Sequence, residues 1–506
     1  MSRKGNIFLI SAVLLLLTAT IPSPGYAQEP VEDPVPEARV LTLDDCINIA
    51  FEKNIGIQRT ELGIELSALD RIRNEAYFDP GFQLGITGQG SDGSGSGGST
   101  DKYNLNASYT KPFYNGSSWV FSLGQGRSSG SVTSGEVSTH VTSYSSQIGL
   151  SFNFPLMEGQ GVRVNRIGIE RSDLGITRSE IALNEARRNL RYQVMQAYVQ
   201  AVTALKQIDV MNVSLGTAQN LVDEVTARID VGQLAPYELL AAQAGLAERR
   251  ESLINAQSNY KTTLDNLKEV IGLPLTDLID VDPSILAPIY IETDPDELYL
   301  IAQRNRGDLR DLDLRVQLAQ LDLLLAEDKR QQSLTWTTSL GFAGIGDDYS
   351  GSISDMNSLA WQTGLQYQMQ LGGNRRDEAD YSSALIALEQ LDLEKVDFLR
   401  GMQLDIRTAQ ESLHNAILRI DVTLQGLEVQ EVKMENEKLR LELGLITSKD
   451  LLQFDLELAN ARLAYDNAMA DALNAIARLE FLTGQQLLDD AVVLSSISDG
   501  SESNDQ

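Results

Sequence analysis

The chain of 506 residues holds one cysteine, Cys46, and two histidines, His140 and His414. A single cysteine excludes an intramolecular disulfide framework, and Cys46 reads as a small buried hydrophobe on the first helix. Neither histidine has the neighbours that a metal centre or a catalytic triad needs. Carboxylate pairs such as Asp44–Asp45 read as solvated or helix-capping charge. Gly88-Gln89-Gly90 lacks the strand-to-helix setting of a phosphate loop. The sequence therefore argues against an enzyme and calls for no cofactor and no metal. Positive charge is also scarce, with 41 Lys and Arg against 71 Asp and Glu and a formal charge of −30. That balance excludes a nucleic-acid binder, which needs a basic footprint.

Long apolar runs are missing apart from one, Ile7–Ile21, behind Arg3 and Lys4 and ahead of Gly25-Tyr26-Ala27. This is the pattern of a signal peptide, residues 1–27, with cleavage after Ala27. Its loss removes two basic residues and no acidic one, which takes the formal charge to −32. The export signal and the lack of a later apolar helix predict an exported protein without a helical membrane anchor. Cys46 lies well past the cleavage site and lacks the flanking small apolar residues of a lipid-attachment site.

Proline is absent between Pro155 and Pro236 and again after Pro295. Interior proline breaks helices, so these gaps allow very long ones. The expected order is an exposed leader, 28–40; a first repeat, 41–273, with helices 43–77, 162–230 and 237–271 and strands within 82–156; and a Pro-rich linker, 274–295. A second repeat, 296–487, follows, with helices 296–332, 374–443 and 448–483 and strands within 335–371. An acidic, disordered tail, 488–506, ends the chain.

The duplication is explicit. Residues 228–275 match 440–487 without a gap: Arg228, Gly232, Leu239, Leu240, Leu246, Ala247 and Arg250 recur as Arg440, Gly444, Leu451, Leu452, Leu458, Ala459 and Arg462. Self-similarity of this kind marks a repeated structural unit. In 374–443 a 3/4 spacing sets Leu399, Met402, Ile406, Ala409, Leu413, Ala416 and Ile420 on one stripe, a coiled-coil seam. Leu190, Val194, Ala201, Leu205 and Ile208 do the same in the first repeat. At 1.5 Å per residue the long helices reach about 100 Å. Helices 43–77 and 237–271, stacked end to end, match 162–230 in length, so each repeat reads as one continuous rod beside one made of two pieces.

The strands alternate. Trp361, Thr363, Leu365, Tyr367 and Met369 share one face, as do Ile148, Leu150 and Phe152, and the alternate positions are Gln, Gly, Ser and Asn. Alternation with an aromatic-tipped apolar face fits a lipid-facing barrel strand; a soluble sheet with one buried face has the same period. Four such strands cannot close a spanning barrel, and open edges are not tolerated in lipid. Spanning strands therefore require several chains to share one barrel. Segments 103–111 and 117–126 either extend that barrel or form an external hairpin, and the Gly/Ser-rich runs 91–100 and 128–139 read as exposed loops.

At this point the chain resembles the TolC-like outer-membrane efflux protein family. The resemblance rests on Leu41–Ala50 followed by Asn54, on Pro155-Leu156 with Gly159 and Gly161, on Leu371 with Gly373, and on the hairpin tips within 231–246 and 443–458. It implies a mainly α protein with a membrane β-barrel portion: a homotrimer with an α-helical tunnel and a shared outer-membrane barrel. It implies the exit channel of a tripartite efflux pump or type I secretion system, carrying small molecules or proteins to the exterior. Its implied partners are a periplasmic adaptor (membrane fusion protein), an inner-membrane transporter and outer-membrane lipid, with the body extending into the periplasm. The implied adaptor-docking residues are Gly232, Gln233, Leu234, Gly444, Leu445, Ile446 and Thr447. The implied periplasmic gate is Asp450 with Leu441 and Ile446. Three Asp450 carboxylates crowded at an entrance raise one another's pKa and attract cations. Glu238, the matching residue of the first repeat, reads as a structural surface carboxylate. A soluble periplasmic coiled-coil scaffold or adaptor is the alternative. A passive porin-like pore fits neither the strand count nor the helices.

Overall fold

The computed structural model describes residues 39–91, 100–134, 137–291, 293–370, 373–487 and 492–493. The expected signal peptide, nearly all of the leader and most of the tail lie outside these residues. The first repeat contains β1 (Arg39–Leu41), α1 (Leu43–Lys53), α2 (Ile55–Ala76), β2 (Gly81–Ser91), β3 (Thr100–Pro112), β4 (Ser118–Ser134) and β5 (Val137–Pro155). It continues with α3 (Val162–Asn165), α4 (Ile167–Asp230) and α5 (Tyr237–Ile271). The middle segment holds β6 (Ile279–Val281) and β7 (Ile289–Tyr290). The second repeat contains α6 (Pro295–Asn305), α7 (Gly307–Lys329), β8 (Ser333–Gly346), α8 (Tyr349–Ser354), β9 (Ser358–Gln368), α9 (Arg375–Glu442) and α10 (Ser448–Thr483). The short β10 (Val492–Val493) comes last.

The reading of 43–77 as one helix is corrected. Asn54 adopts φ −66°, ψ 123°, and its side chain caps α2 by accepting from the amides of Gly56 and Ile57. An extended residue cannot carry the helix through, so α1 turns aside. The second repeat breaks the same way: Arg306 has φ −71°, ψ 123°, and Glu185 of α4 accepts from the Gly307 amide at 2.8 Å. Expected helix 296–332 is therefore α6 plus α7. Expected helix 162–230 is interrupted at Arg166.

The two-piece rods join at these breaks. Asn54 Nδ2 donates to the Val270 carbonyl at the end of α5, at 2.9 Å. Thus α5 is continued by α2, not by the whole of 43–77, and its end meets the first residues of α2. In the second repeat Gly484, just after α10, lies against Asn305, so α10 is continued by α7. At 1.5 Å per residue α4 and α9 are about 96 and 102 Å long.

The helices share two apolar cores. The larger lies at mid-length, where Val194, Tyr198, Val202, Met402, Ile406, Leu413, Leu473 and Ile476 are buried together. There Tyr198 Oη sits 3.0 Å from the carbonyl oxygens of both Leu41 and Asp282, pinning the β1–β6 pair to α4. Cys46 is buried in this core. The smaller core, Leu221, Val225, Leu246, Met434, Leu441 and Leu451, lies toward the α4–α5 and α9–α10 turns.

The linker 274–295 carries structure of its own. β6 pairs in parallel with β1, and β7 pairs with β10. Arg39–Leu41 at the edge of the expected leader and Val492–Val493 in the expected tail are therefore strands, because each completes the backbone hydrogen bonding of a linker strand.

The main sheet has six antiparallel strands in the order β2-β3-β4-β5-β8-β9. Segments 103–111 and 117–126 are thus two full strands inside the sheet. Much of 128–139, expected as loop, belongs to β4 and β5.

Candidate functional site: helical tips and amphipathic sheet

Each long helix turns back through the same short hairpin. At the first tip the Gly232 amide donates to Ile229 O at 2.9 Å and the Gln233 amide to Arg228 O at 2.8 Å; at the second, Gly444 donates to Leu441 O and Leu445 to Arg440 O, both at 2.9 Å. These crossed bonds satisfy the last carbonyls of the helix and need a left-handed residue. Gly232 and Gly444 supply it, with φ of 77° and 71°. The repeat seen in the sequence is thus repeated bond for bond.

Around these turns Gly232, Gln233, Gly444, Leu445 and Thr447 are exposed. Leu234 and Ile446 are half-buried against the smaller core. Val231, Leu443 and Leu445 stand out as exposed apolar side chains, 69%, 74% and 64% accessible. Leu441 is buried in the smaller core. It packs between helices of its own chain. Glu238 is also buried rather than on the surface.

Asp450 is exposed in the first turn of α10. Its Oδ2 accepts from the Thr447 amide at 2.9 Å and from Thr447 Oγ1 at 2.7 Å, and its own amide donates to Thr447 Oγ1 at 3.3 Å. This is a reciprocal capping box. The bonds to the Thr447 backbone and side chain hold the Asp450 carboxyl below its ordinary value, opposite in direction to the rise expected from crowding alone.

The six strands sort most of their side chains by face. One face carries Phe82, Leu84 and Ile86 of β2; Leu105 and Tyr109 of β3; and Trp119, Phe121 and Leu123 of β4. Across the register it continues with Ile148, Leu150 and Phe152 of β5, Leu340 and Phe342 of β8, and Trp361, Leu365 and Tyr367 of β9. Trp361 and Leu365 are each 69% accessible. The other face carries Gln83, Asn104, Asn106, Ser108, Ser122, Gly124, Gln147, Ser151, Thr337 and Gln362. Met369 does not belong to the strand, which ends at Gln368, and Leu371 lies outside the described residues. Near the outer end α8 lies on the apolar face, Ser352 Oγ 2.7 Å from Ser146 Oγ and Tyr349 edge-on to Tyr144. Among the described residues no helix is long and apolar enough to cross a membrane, and no group of His, Cys, Asp and Glu is placed to hold a metal ion.

Residues 119–273 match the profile of the family described as Outer membrane efflux protein. The matched segment is similar to that family. The chain is 24% identical over 174 residues to outer membrane protein TolC of Escherichia coli strain K12, a match that spans 34% of each chain. The fold extends much further. The CmeC outer membrane channel of Campylobacter jejuni superposes with a TM-score of 0.64 at 16% identity, over 97% of this chain and 98% of that one. The outer membrane protein VceC of Vibrio cholerae does so with a TM-score of 0.65 at 15% identity, over 87% and 96%. At these identities the likeness is one of fold: a helical body joined to a strand domain.

Proposed function

We propose that three copies of this TolC-like chain close their sheets into one outer-membrane barrel above a helical tunnel. The assembly acts as the exit duct of a tripartite efflux pump or type I secretion system. The observation that carries this reading is an amphipathic sheet, open at both edges, joined to helical rods of about 100 Å. An open edge is not tolerated in lipid, and closure with further copies removes it. The apolar face then meets lipid, and the Gln/Asn/Ser/Thr-rich face lines a water-filled lumen.

The tips are the docking surface for a periplasmic adaptor, which links the duct to an inner-membrane transporter. Exposed Leu443 and Leu445 beside Gly444 offer an apolar knob, and Val231 beside Gly232 offers a smaller one. Asp450, close behind the second tip, forms a threefold ring of charge at the periplasmic entrance. The capping bonds keep each carboxylate ionised at neutral pH, and Ile446 is the apolar neighbour of that ring.

Native mass measurement of the protein extracted in mild detergent tests the assembly. Three chains per particle, retained in membranes after carbonate washing, is the expected result. A folded monomer, or release by carbonate, would overturn it.

A further inference from the structure

We infer that the β3–β4 hairpin is part of the membrane wall, so that each chain supplies six strands and a three-chain barrel holds eighteen. The inference rests on the trimeric barrel proposed above and concerns what the wall is made of.

Pairing is continuous through the hairpin. β2 pairs with β3 over eleven residues, β3 with β4 over thirteen and β4 with β5 over seventeen. A hairpin lying outside the wall would leave β2 to pair with β5. No such pairing exists, and the two strands are separated by three full ladders. The side-chain pattern agrees. Leu105, Tyr109 and Leu123 extend the apolar face, while Asn104, Asn106 and Ser122 extend the polar one. A shift of one residue in either ladder would reverse this sorting.

The turn of the hairpin is built into the rim where strands meet helices. The Gly161 amide donates to Asn115 O at 3.2 Å. Lys111 Nζ donates to Phe78 O at 2.7 Å, and the Tyr114 ring lies 4.3 Å from that of Phe78. The hairpin is therefore fixed both to the corner where α2 enters the sheet and to the corner where β5 leaves it.

Barrel size is compatible with this count. Strands about 4.8 Å apart and tilted about 40° close at a radius of about 12 Å for twelve strands and about 18 Å for eighteen. In each chain α2, α4, α7 and α9 reach the sheet. Twelve helices in a ring, spaced 8–10 Å, close at a radius of about 15–19 Å. An eighteen-strand barrel falls within the girth of such a helical ring. The lumen of such a duct is wide enough for an aqueous channel of porin size.

Single cysteines in a Cys46→Ser background test the wall. Assembled trimer in liposomes is treated with a water-soluble maleimide or a lipid-soluble one. Asn106→Cys and Ser122→Cys should react with the water-soluble reagent through the lumen, and Leu105→Cys and Leu123→Cys at least tenfold more slowly. Leu365→Cys on β9 is the control for the barrel itself. Fast water-soluble labelling on both faces of β3 and β4, with Leu365→Cys protected, would leave the barrel standing and overturn the eighteen-strand wall. Fast labelling of Leu365→Cys would overturn the barrel reading and this inference with it. An image of the solubilised trimer showing twelve wall strands would also overturn it.

Discussion

Arg249 of α5 reaches Asp455 of α10 with Nε 3.7 Å from Oδ2, and both side chains are buried. Ser214 of α4 donates to the same carboxylate oxygen, and Arg249 Nη2 donates to Leu452 O at 3.1 Å. One buried carboxylate thus ties three helices together behind the tips. Burial pushes the Asp455 carboxyl up, against the lowering effect of the Ser214 bond and of Arg249.

Removing one partner should be costly. Arg249→Met leaves a buried carboxylate without its cation, a change that costs about 3–5 kcal/mol in comparable pairs. Replacing both, Arg249→Met with Asp455→Leu, should recover most of that loss. Thermal unfolding followed by helical circular dichroism measures both, and equal destabilisation by the single and double variants would count against the pairing.

The same carboxylate sets a pH dependence. A folded-state value above the ordinary one means that the folded protein holds this proton more tightly than the unfolded chain. The stabilisation is complete below the unfolded value near 4 and is lost as pH rises through the raised folded value. The midpoint difference between wild type and Asp455→Asn should therefore change across that window. A difference that is constant with pH would show that Asp455 does not titrate there.

Asp450→Asn should keep the cap, since Thr447 remains the N-cap and an asparagine Oδ1 at N3 can still accept from the Thr447 amide, while removing three charges from the proposed entrance. In planar bilayers, cation preference and block by trivalent cations from the periplasmic side should fall severalfold. Unchanged selectivity and block would leave Asp450 with its capping role alone.

Leu445→Asp tests the docking surface without disturbing the fold, because Leu445 is exposed and Gly444 retains the turn. Export and crosslinking to the adaptor should both be lost at normal outer-membrane levels. Normal export would exclude the second tip as the contact.

Gly116→Ala probes the rim. Gly116 has φ 86°, and a Cβ there would overlap the carbonyl oxygen of Gly159. The left-handed conformation alone costs about 1–2 kcal/mol for a residue with a side chain. Protease sensitivity of the 113–117 turn should rise and trimer yield fall. Wild-type resistance would mean that the turn is not held as tightly as its contacts indicate.

Much was legible in the chain because it is local. Proline-free stretches, the 3/4 seam through Met402, Ile406 and Leu413, the Gly232 and Gly444 caps and the alternation around Trp361 are properties of neighbouring residues. The duplication is a comparison of the chain with itself. Other features needed contacts between distant residues. Asn54 looks like any helix residue until Val270 and the end of α5 sit beside it. Leu441 falls on the same seam as its neighbours, and only the meeting of α9 with α4 and α5 decides that it is interior. Ser122, Gly124 and Gly126 leave open whether 117–126 joins the wall, and Ser128 reads as loop because small polar residues favour turns. Within β4 they project to one face, and it is pairing with β3 and β5 that makes them a strand. Local periodicity determined the long helices, their turns at Gly232 and Gly444, and the two faces of the sheet. Tertiary structure decided how many strands the sheet holds, since a strand exists only when its backbone groups find partners far away in sequence.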